Sequence, residues 1–337
     1  MFVAGCHRSG TSLLASLVGE VLQLGVDEAS QLAPPALDNP LGFYESRRLV
    51  ECNDQLLGRI GCSWSHPPLC PPAWDHPPLL DFLAEQRHDL RDLAMSDAWV
   101  EKDPRICLTY PAYLHVFLKR VPLLAIIRSP LAVATSLYAR DGIDVNTGLV
   151  IWFIYNHHLS RALVASDVLM VYEKLLEGVE PSISMDMLDQ LAPVFEQSGF
   201  ESPNLADWKK ALDKLIRPEL NRAANALPLT AVSQINKPLL SCCQSAYEIA
   251  SQSTSDEHPM HWAFDALPSS VLDMGCRFGV FNQGDWQREQ QQQALCVDLE
   301  DCRRRCGDLD RRLGAMEAST SWRLTAPLRR AADFLRR

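Results

Sequence analysis

Apolar positions in the first two hundred residues fall into short unbroken runs separated by stretches with helical spacing. Met1–Gly5, Ala98–Glu101, Leu123–Ile127 and Val168–Tyr172 have the length and character of buried strands. Between them, Ser12–Leu24, Leu79–Ala94, Leu131–Ala139, Leu149–Ala165 and Met185–Gln197 have the pattern of helices. Strands alternating with helices predict a parallel sheet with helical crossovers, an α/β fold of three layers (α/β/α). Pro67, Pro68, Pro71, Pro72, Pro77 and Pro78 make the span 61–78 a long loop over the sheet.

The pattern changes near residue 284, so the chain is read as a domain over 1–284 and a helical tail over 285–337. In the tail, Leu295, Leu299, Cys302, Cys306, Leu309, Leu313 and Met316 recur at steps of four and three, the a/d stripe of a coiled coil. Self-association through this stripe and packing of a lone helix on its own domain both fit. Trp322 among arginines near the basic end suits a membrane surface or a partner, and a solvated helix end equally.

Composition narrows the function. The 337 residues carry 32 Lys+Arg and 42 Asp+Glu, with 47% hydrophobic and 22% charged residues. That excludes a disordered, collagenous or disulfide-scaffold chain. A net charge of −10 argues against a nucleic-acid polymer as partner. From Arg288 onward basic residues outnumber acidic ones by three, so the body is more acidic than the total. Any anion it binds must be held by a few placed groups. Eleven cysteines without a secretory leader predict reduced thiols and a cytoplasmic protein. No apolar run reaches the length of a membrane span.

Two segments carry anion chemistry. Gly5-Cys6-His7-Arg8-Ser9-Gly10-Thr11-Ser12 follows a predicted strand and opens a predicted helix, in the frame G-x-x-x-x-G-x-[ST]. Glycines let backbone N–H groups turn inward, and the helix N-terminus adds partial positive charge. Thr11 stands where nucleotide triphosphatases carry Lys, and Arg8 supplies the cation instead. The second segment is Ile126-Ile127-Arg128-Ser129-Pro130, with Ser136 eight residues after Arg128. An arginine fork at a strand end and a hydroxyl on the next helix suit a second, separated phosphate.

Two other features carry less. Cys62, His66, Cys70 and His76 lack the paired spacing of a zinc site. Val271–Gly279 looks like the glycine-rich loop of a methyltransferase, but too little chain follows to complete such a domain.

Together the two anion segments resemble the sulfotransferases that use 3′-phosphoadenylyl sulfate (PAPS). His7-Arg8-Ser9-Gly10-Thr11-Ser12 is similar to their 5′-phosphosulfate loop, with His7 where Pro is usual. Arg128…Ser136 resembles their 3′-phosphate motif. Asn39-Pro40-Leu41-Gly42-Phe43-Tyr44-Glu45, Lys102-Asp103-Pro104-Arg105 and Tyr172-Glu173-Lys174-Leu175-Leu176 resemble further segments of bacterial members, with Lys174 where Asp is usual. The resemblance covers about residues 1–200.

It implies a P-loop-like fold and transfer of a sulfuryl group to a hydroxyl, without a metal. Arg8, Ser9, Gly10, Thr11, Ser12, Arg128 and Ser136 would bind the donor. Arg8 and the loop amides would stabilise charge on the bridging oxygen. Glu45 and Asp103 compete as the general base, with Lys102 as a cation at the sulfate and His7 as a third candidate base. The tail's Ser319–Arg330 run resembles ends of bacterial glycan-assembly enzymes, which points to a saccharide acceptor. The alternatives are a P-loop kinase using Mg-ATP and a non-catalytic nucleotide-binding scaffold.

Overall fold

The computed structural model describes residues 1–24, 45–69, 72, 74, 77–90, 98–117, 119–177, 181–216, 233–252, 259–280, 302–312, 314–315, 318–320 and 322. The chain divides into two compact units, Met1–Asn282 and Gln283–Arg337.

The first unit is mainly helical around a small parallel sheet. Its strands are β1 (Phe2–Ala4), β2 (Glu101–Lys102), β3 (Leu123–Ile127) and β4 (Val168–Val171), in the order β2-β1-β3-β4. Phe2 pairs with Glu101 on one side and Leu123 on the other, and Ala4 pairs with Ala125. Every residue of β1 and β3 is buried, which explains their continuous apolar runs. The helices are α1 (Thr11–Val21), α2 (Arg47–Arg59), α3 (Pro77–Asp89), α4 (Ile106–Phe117), α5 (Pro130–Asp141), α6 (Val145–Ala162), α7 (Tyr172–Glu177), α8 (Pro181–Gln197), α9 (Leu205–Leu215), α10 (Lys237–Ser251), α11 (Pro259–Ala263) and α12 (Ser269–Arg277).

Successive side chains of a strand point to opposite faces, and β1 shows the consequence. Val3 joins Leu124, Ile126 and Met170 in a cluster with Leu14 and Leu17 of α1, Leu191 and Phe195 of α8, and Trp208 of α9. Phe2, one position earlier, instead meets Trp99, Tyr113 and Phe117 at ring-centroid distances of 5.1, 5.2 and 6.0 Å.

Helix α6 is buried along almost its whole length, so it has no polar stripe. Asp144 caps its N-terminus by accepting from the amides of Asn146 and Thr147. Its two histidines are structural ties: His157 Nδ1 donates to the Phe264 carbonyl at 2.7 Å, and His158 Nε2 donates to the Pro68 carbonyl at 2.8 Å. Burial pushes His158 down to about 3, so it stays neutral at physiological pH.

The structure corrects several element boundaries. Strand β2 is Glu101–Lys102, later than the predicted Ala98–Glu101, and its two residues pair with Phe2 and Val3 of β1. Pro77 and Pro78 belong to the first turn of α3 and not to a loop, since the missing proline N–H costs nothing there. Helix α4 carries Pro111 inside it and is buried on nearly every face, which hides it from periodicity. The methyltransferase-like segment is helix α12, with Gly275 buried within it.

In the second unit, residues 302–312 are helical, with Cys302, Cys306 and Leu309 exposed. Leu295, Leu299, Leu313 and Met316 of the predicted stripe lie outside the described residues, as do 38–44, Cys70 and His76. Among the described residues no helix is long and apolar enough to cross a membrane.

Candidate functional site

The loop between β1 and α1 is shaped by two glycines and one strained residue. A Cβ on Gly5 would lie 2.5 Å from the Ile126 carbonyl oxygen of β3, so only glycine allows the strand and loop to approach this closely. Gly10 precedes α1 with φ of 93°, and a Cβ there would meet the Tyr172 ring at 2.3 Å. Arg8 holds φ of 67°, a left-handed conformation costing about 1–2 kcal/mol for a residue with a side chain. Gly10 has no side chain to cap α1, so no side-chain hydrogen bond closes the N-terminus of this helix. The loop sits at the C-terminal ends of β1 and β3, where the order β2-β1-β3 makes successive crossovers leave in opposite directions.

Arg8 meets both parts of the second anion segment. Its Nε donates to Ser136 Oγ at 2.9 Å, and Arg128 Nη1 donates to the Arg8 carbonyl at 3.0 Å. The two segments expected to serve separate phosphates are therefore in direct contact. Arg128 is 8% exposed, and its guanidinium lies 4.3 Å from the Tyr172 ring centroid. Among the described residues, Ser9 Oγ and Arg128 Nε, both at this junction, are buried side-chain polar atoms with no hydrogen-bond partner, as are Trp74 Nε1, Asn156 Oδ1 and Trp208 Nε1 elsewhere in the fold. Buried donors left in this state are uncommon and fit a site built for a ligand.

A second cluster flanks the loop. Lys102, at the end of β2, donates from Nζ to Ser12 Oγ at 3.1 Å and to Glu45 Oε1 at 2.5 Å. An ammonium thus reaches the loop from a neighbouring strand. Burial drives both charges toward neutrality: it raises Glu45 against the opposing pull of Lys102, and it lowers Lys102 against the opposing pull of Glu45.

Asp103 behaves differently. It is fully buried, and its carboxylate accepts from Asn53 Nδ2 at 2.9 Å, the Arg105 amide at 2.9 Å and Arg105 Nη1 at 3.0 Å. Asn53 Oδ1 accepts in turn from Thr109 and Tyr113 at 2.6 and 2.8 Å. Arg105 Nε is also 2.7 Å from Asp54 Oδ1. Two adjacent residues of α2 therefore dock the helix that follows Glu45 onto the turn that follows Lys102. Sequence reasoning missed Asn53 and Asp54, because their partners are about fifty residues away and carry no local pattern.

His7 is buried beside Trp64 and Tyr155, at 4.8 and 5.6 Å between ring centroids. Burial, and then Arg105, Arg140, Lys102 and Arg8, push its imidazole well below the usual range. It is a neutral ring packed under the loop. Tyr155 donates to the Trp64 carbonyl at 2.9 Å, which fixes this part of the proline-rich segment. Among the described residues, no group of three or more His, Cys, Asp or Glu side chains is arranged to hold a metal.

No family model matches the chain, and no curated protein sequence matches it either.

Proposed function

We propose that the chain is a sulfotransferase that transfers a sulfuryl group from 3′-phosphoadenylyl sulfate to a hydroxyl, with a saccharide as the acceptor class. The three-layer P-loop-like architecture and a cytoplasmic location belong to the same reading. The observation that carries it is the junction of Arg8, Ser136 and Arg128 beside the unpartnered Ser9 Oγ and Arg128 Nε. A ligand with two anionic groups, one on the loop amides and one at Arg128, would satisfy these donors.

The donor supplies an activated sulfuryl group whose transfer leaves adenosine 3′,5′-bisphosphate. Arg8, the Ser9 hydroxyl, the amides of Gly10, Thr11 and Ser12 and the Thr11 and Ser12 hydroxyls bind the 5′ end and stabilise charge on its bridging oxygen, while the Ser9 amide closes the loop by donating to the Cys6 carbonyl at 3.1 Å. Arg128 and Ser136 hold the 3′-phosphate. Lys102 adds a cation at Ser12. Glu45 takes the acceptor's proton: burial raises its basicity, and its one described partner is Lys102, a cation that sets its position. Asp103 is assigned a holding role, because its carboxylate already accepts three hydrogen bonds.

One observation bears on the kinase alternative. Ser12 stands at the hydroxyl position that binds Mg²⁺ in phosphate-loop kinases, yet its Oγ accepts from the Lys102 ammonium. A cation there competes with the metal. Incubation with ³⁵S-labelled donor and glycan or lipid extracts tests the proposal directly. Label on a hydroxyl-bearing product supports it, whereas donor-product binding without transfer favours the scaffold reading. The tail is assigned to self-association or surface contact.

A further inference from the structure

We propose that Glu173 and Tyr247 are positioning residues that lock Arg128 for recognition of the 3′-phosphate. This rests on the reading of Arg128 given above, and it brings helix α10, beyond the part of the chain that carries the family resemblance, into donor binding.

The peptide group joining Arg128 to Ser129 is held at both ends. Its carbonyl accepts from Trp152 Nε1 at 3.0 Å, and its N–H donates to Glu173 Oε1 at 3.1 Å. With both ends fixed, this peptide plane cannot rotate, and the direction in which Arg128 leaves β3 is set. The other carboxylate oxygen of Glu173 accepts from the Tyr247 hydroxyl of α10 at 2.6 Å, a short charge-assisted bond. Burial, then Glu173 itself, pushes the Tyr247 hydroxyl up, so it remains a donor across the neutral range. Tyr247 thereby fixes the carboxylate that fixes Ser129.

The neighbouring residues show why this corner is built as a unit. Tyr172 lies against both Gly10 and the Arg128 guanidinium. Lys174 donates to the Ser251 carbonyl at 2.9 Å, at the C-terminal end of α10, where a cation suits the helix dipole. Three consecutive residues after β4 thus touch the loop, the second arginine and α10. Lys174, where the family usually has Asp, holds α10 without touching the Arg128 peptide.

The test is calorimetric titration of the full chain and its variants with adenosine 3′,5′-bisphosphate and with adenosine 5′-phosphate, which lacks the 3′-phosphate. The unaltered chain should prefer the bisphosphate. Tyr247→Phe should reduce that preference by about 3- to 30-fold, and Glu173→Ala by more, since it also frees the Ser129 amide. Affinity for the 5′-phosphate alone should stay unchanged in both, which a general loss of folding would not allow. Lys174→Ala should keep the full preference, separating the clamp from simple docking of α10. A preference retained in Glu173→Ala, or lost equally in Lys174→Ala, overturns the clamp while leaving the proposed function intact. Equal binding of the two nucleotides by the unaltered chain overturns both.

Discussion

Arg8 Nε donates to Ser136 Oγ across 2.9 Å, joining residues 128 positions apart. The contact links the loop after β1 to the helix after β3, while Arg128 closes the same junction through the Arg8 carbonyl. One arginine therefore serves both halves of the site. Its left-handed backbone indicates that the loop is held in a shape set by the surrounding structure.

Arg8→Ala and Arg8→Gly separate side chain from backbone. Both should weaken adenosine 3′,5′-bisphosphate binding, by about 10- to 100-fold, the size of a lost hydrogen bond to a charged group. The glycine variant should be more stable than the alanine variant by up to about 1 kcal/mol, because glycine adopts this φ without strain. Chemical denaturation measures the difference. A glycine variant that is the less stable of the two contradicts a strained loop.

The Lys102–Glu45 pair predicts a pH effect. Lys102 lowers the pKa of Glu45, so Lys102→Met should move the acid limb of the rate profile to higher pH, and Glu45→Gln should abolish that limb. Glu45→Gln also leaves a buried ammonium without its carboxylate, at a cost of about 3 kcal/mol near neutrality. Lys102 is depressed in the folded state, so its contribution to stability is present above its ordinary pKa of 10.5 and is lost as pH falls through the folded value. The Glu45→Gln deficit should therefore shrink toward pH 10 and grow toward pH 7. A deficit independent of pH contradicts a charged Lys102.

Asn53 is the hub of the holding network. Asn53→Leu removes one hydrogen bond each from Asp103, Thr109 and Tyr113 and should cost about 2–4 kcal/mol. Asn53→Asp sets two carboxylates against each other, so its deficit should lessen as pH falls and one of them protonates. Unfolding midpoints between pH 5 and pH 8 check this, and a deficit that deepens on acidification contradicts it.

What was legible in the sequence was what local chemistry dictates. The run Leu123–Ile127 is a strand with the predicted limits, because a strand buried on both faces must be apolar throughout. Gly5 and Gly10 stood out because the loop demands them, and Pro130 opens α5 as an N-terminal proline should. Asn53 and Tyr247 left no trace, since each acts on a partner fifty or more residues away. Helix α4 was hidden by Pro111 and by burial on nearly every side, which removes the amphipathic period. The Lys102–Ser12 contact was equally invisible, because parallel pairing of β1 with β2 brings those two residues together.

Thermal unfolding of the full chain with adenosine 3′,5′-bisphosphate or with Mg-ATP tests most directly whether the site takes a nucleotide with separate 5′ and 3′ anionic groups. Saturating bisphosphate, at about 100 times its Kd, should stabilise the fold by about 2.7 kcal/mol, while Mg-ATP leaves the midpoint unchanged. Stabilisation by Mg-ATP with none by the bisphosphate would contradict the account.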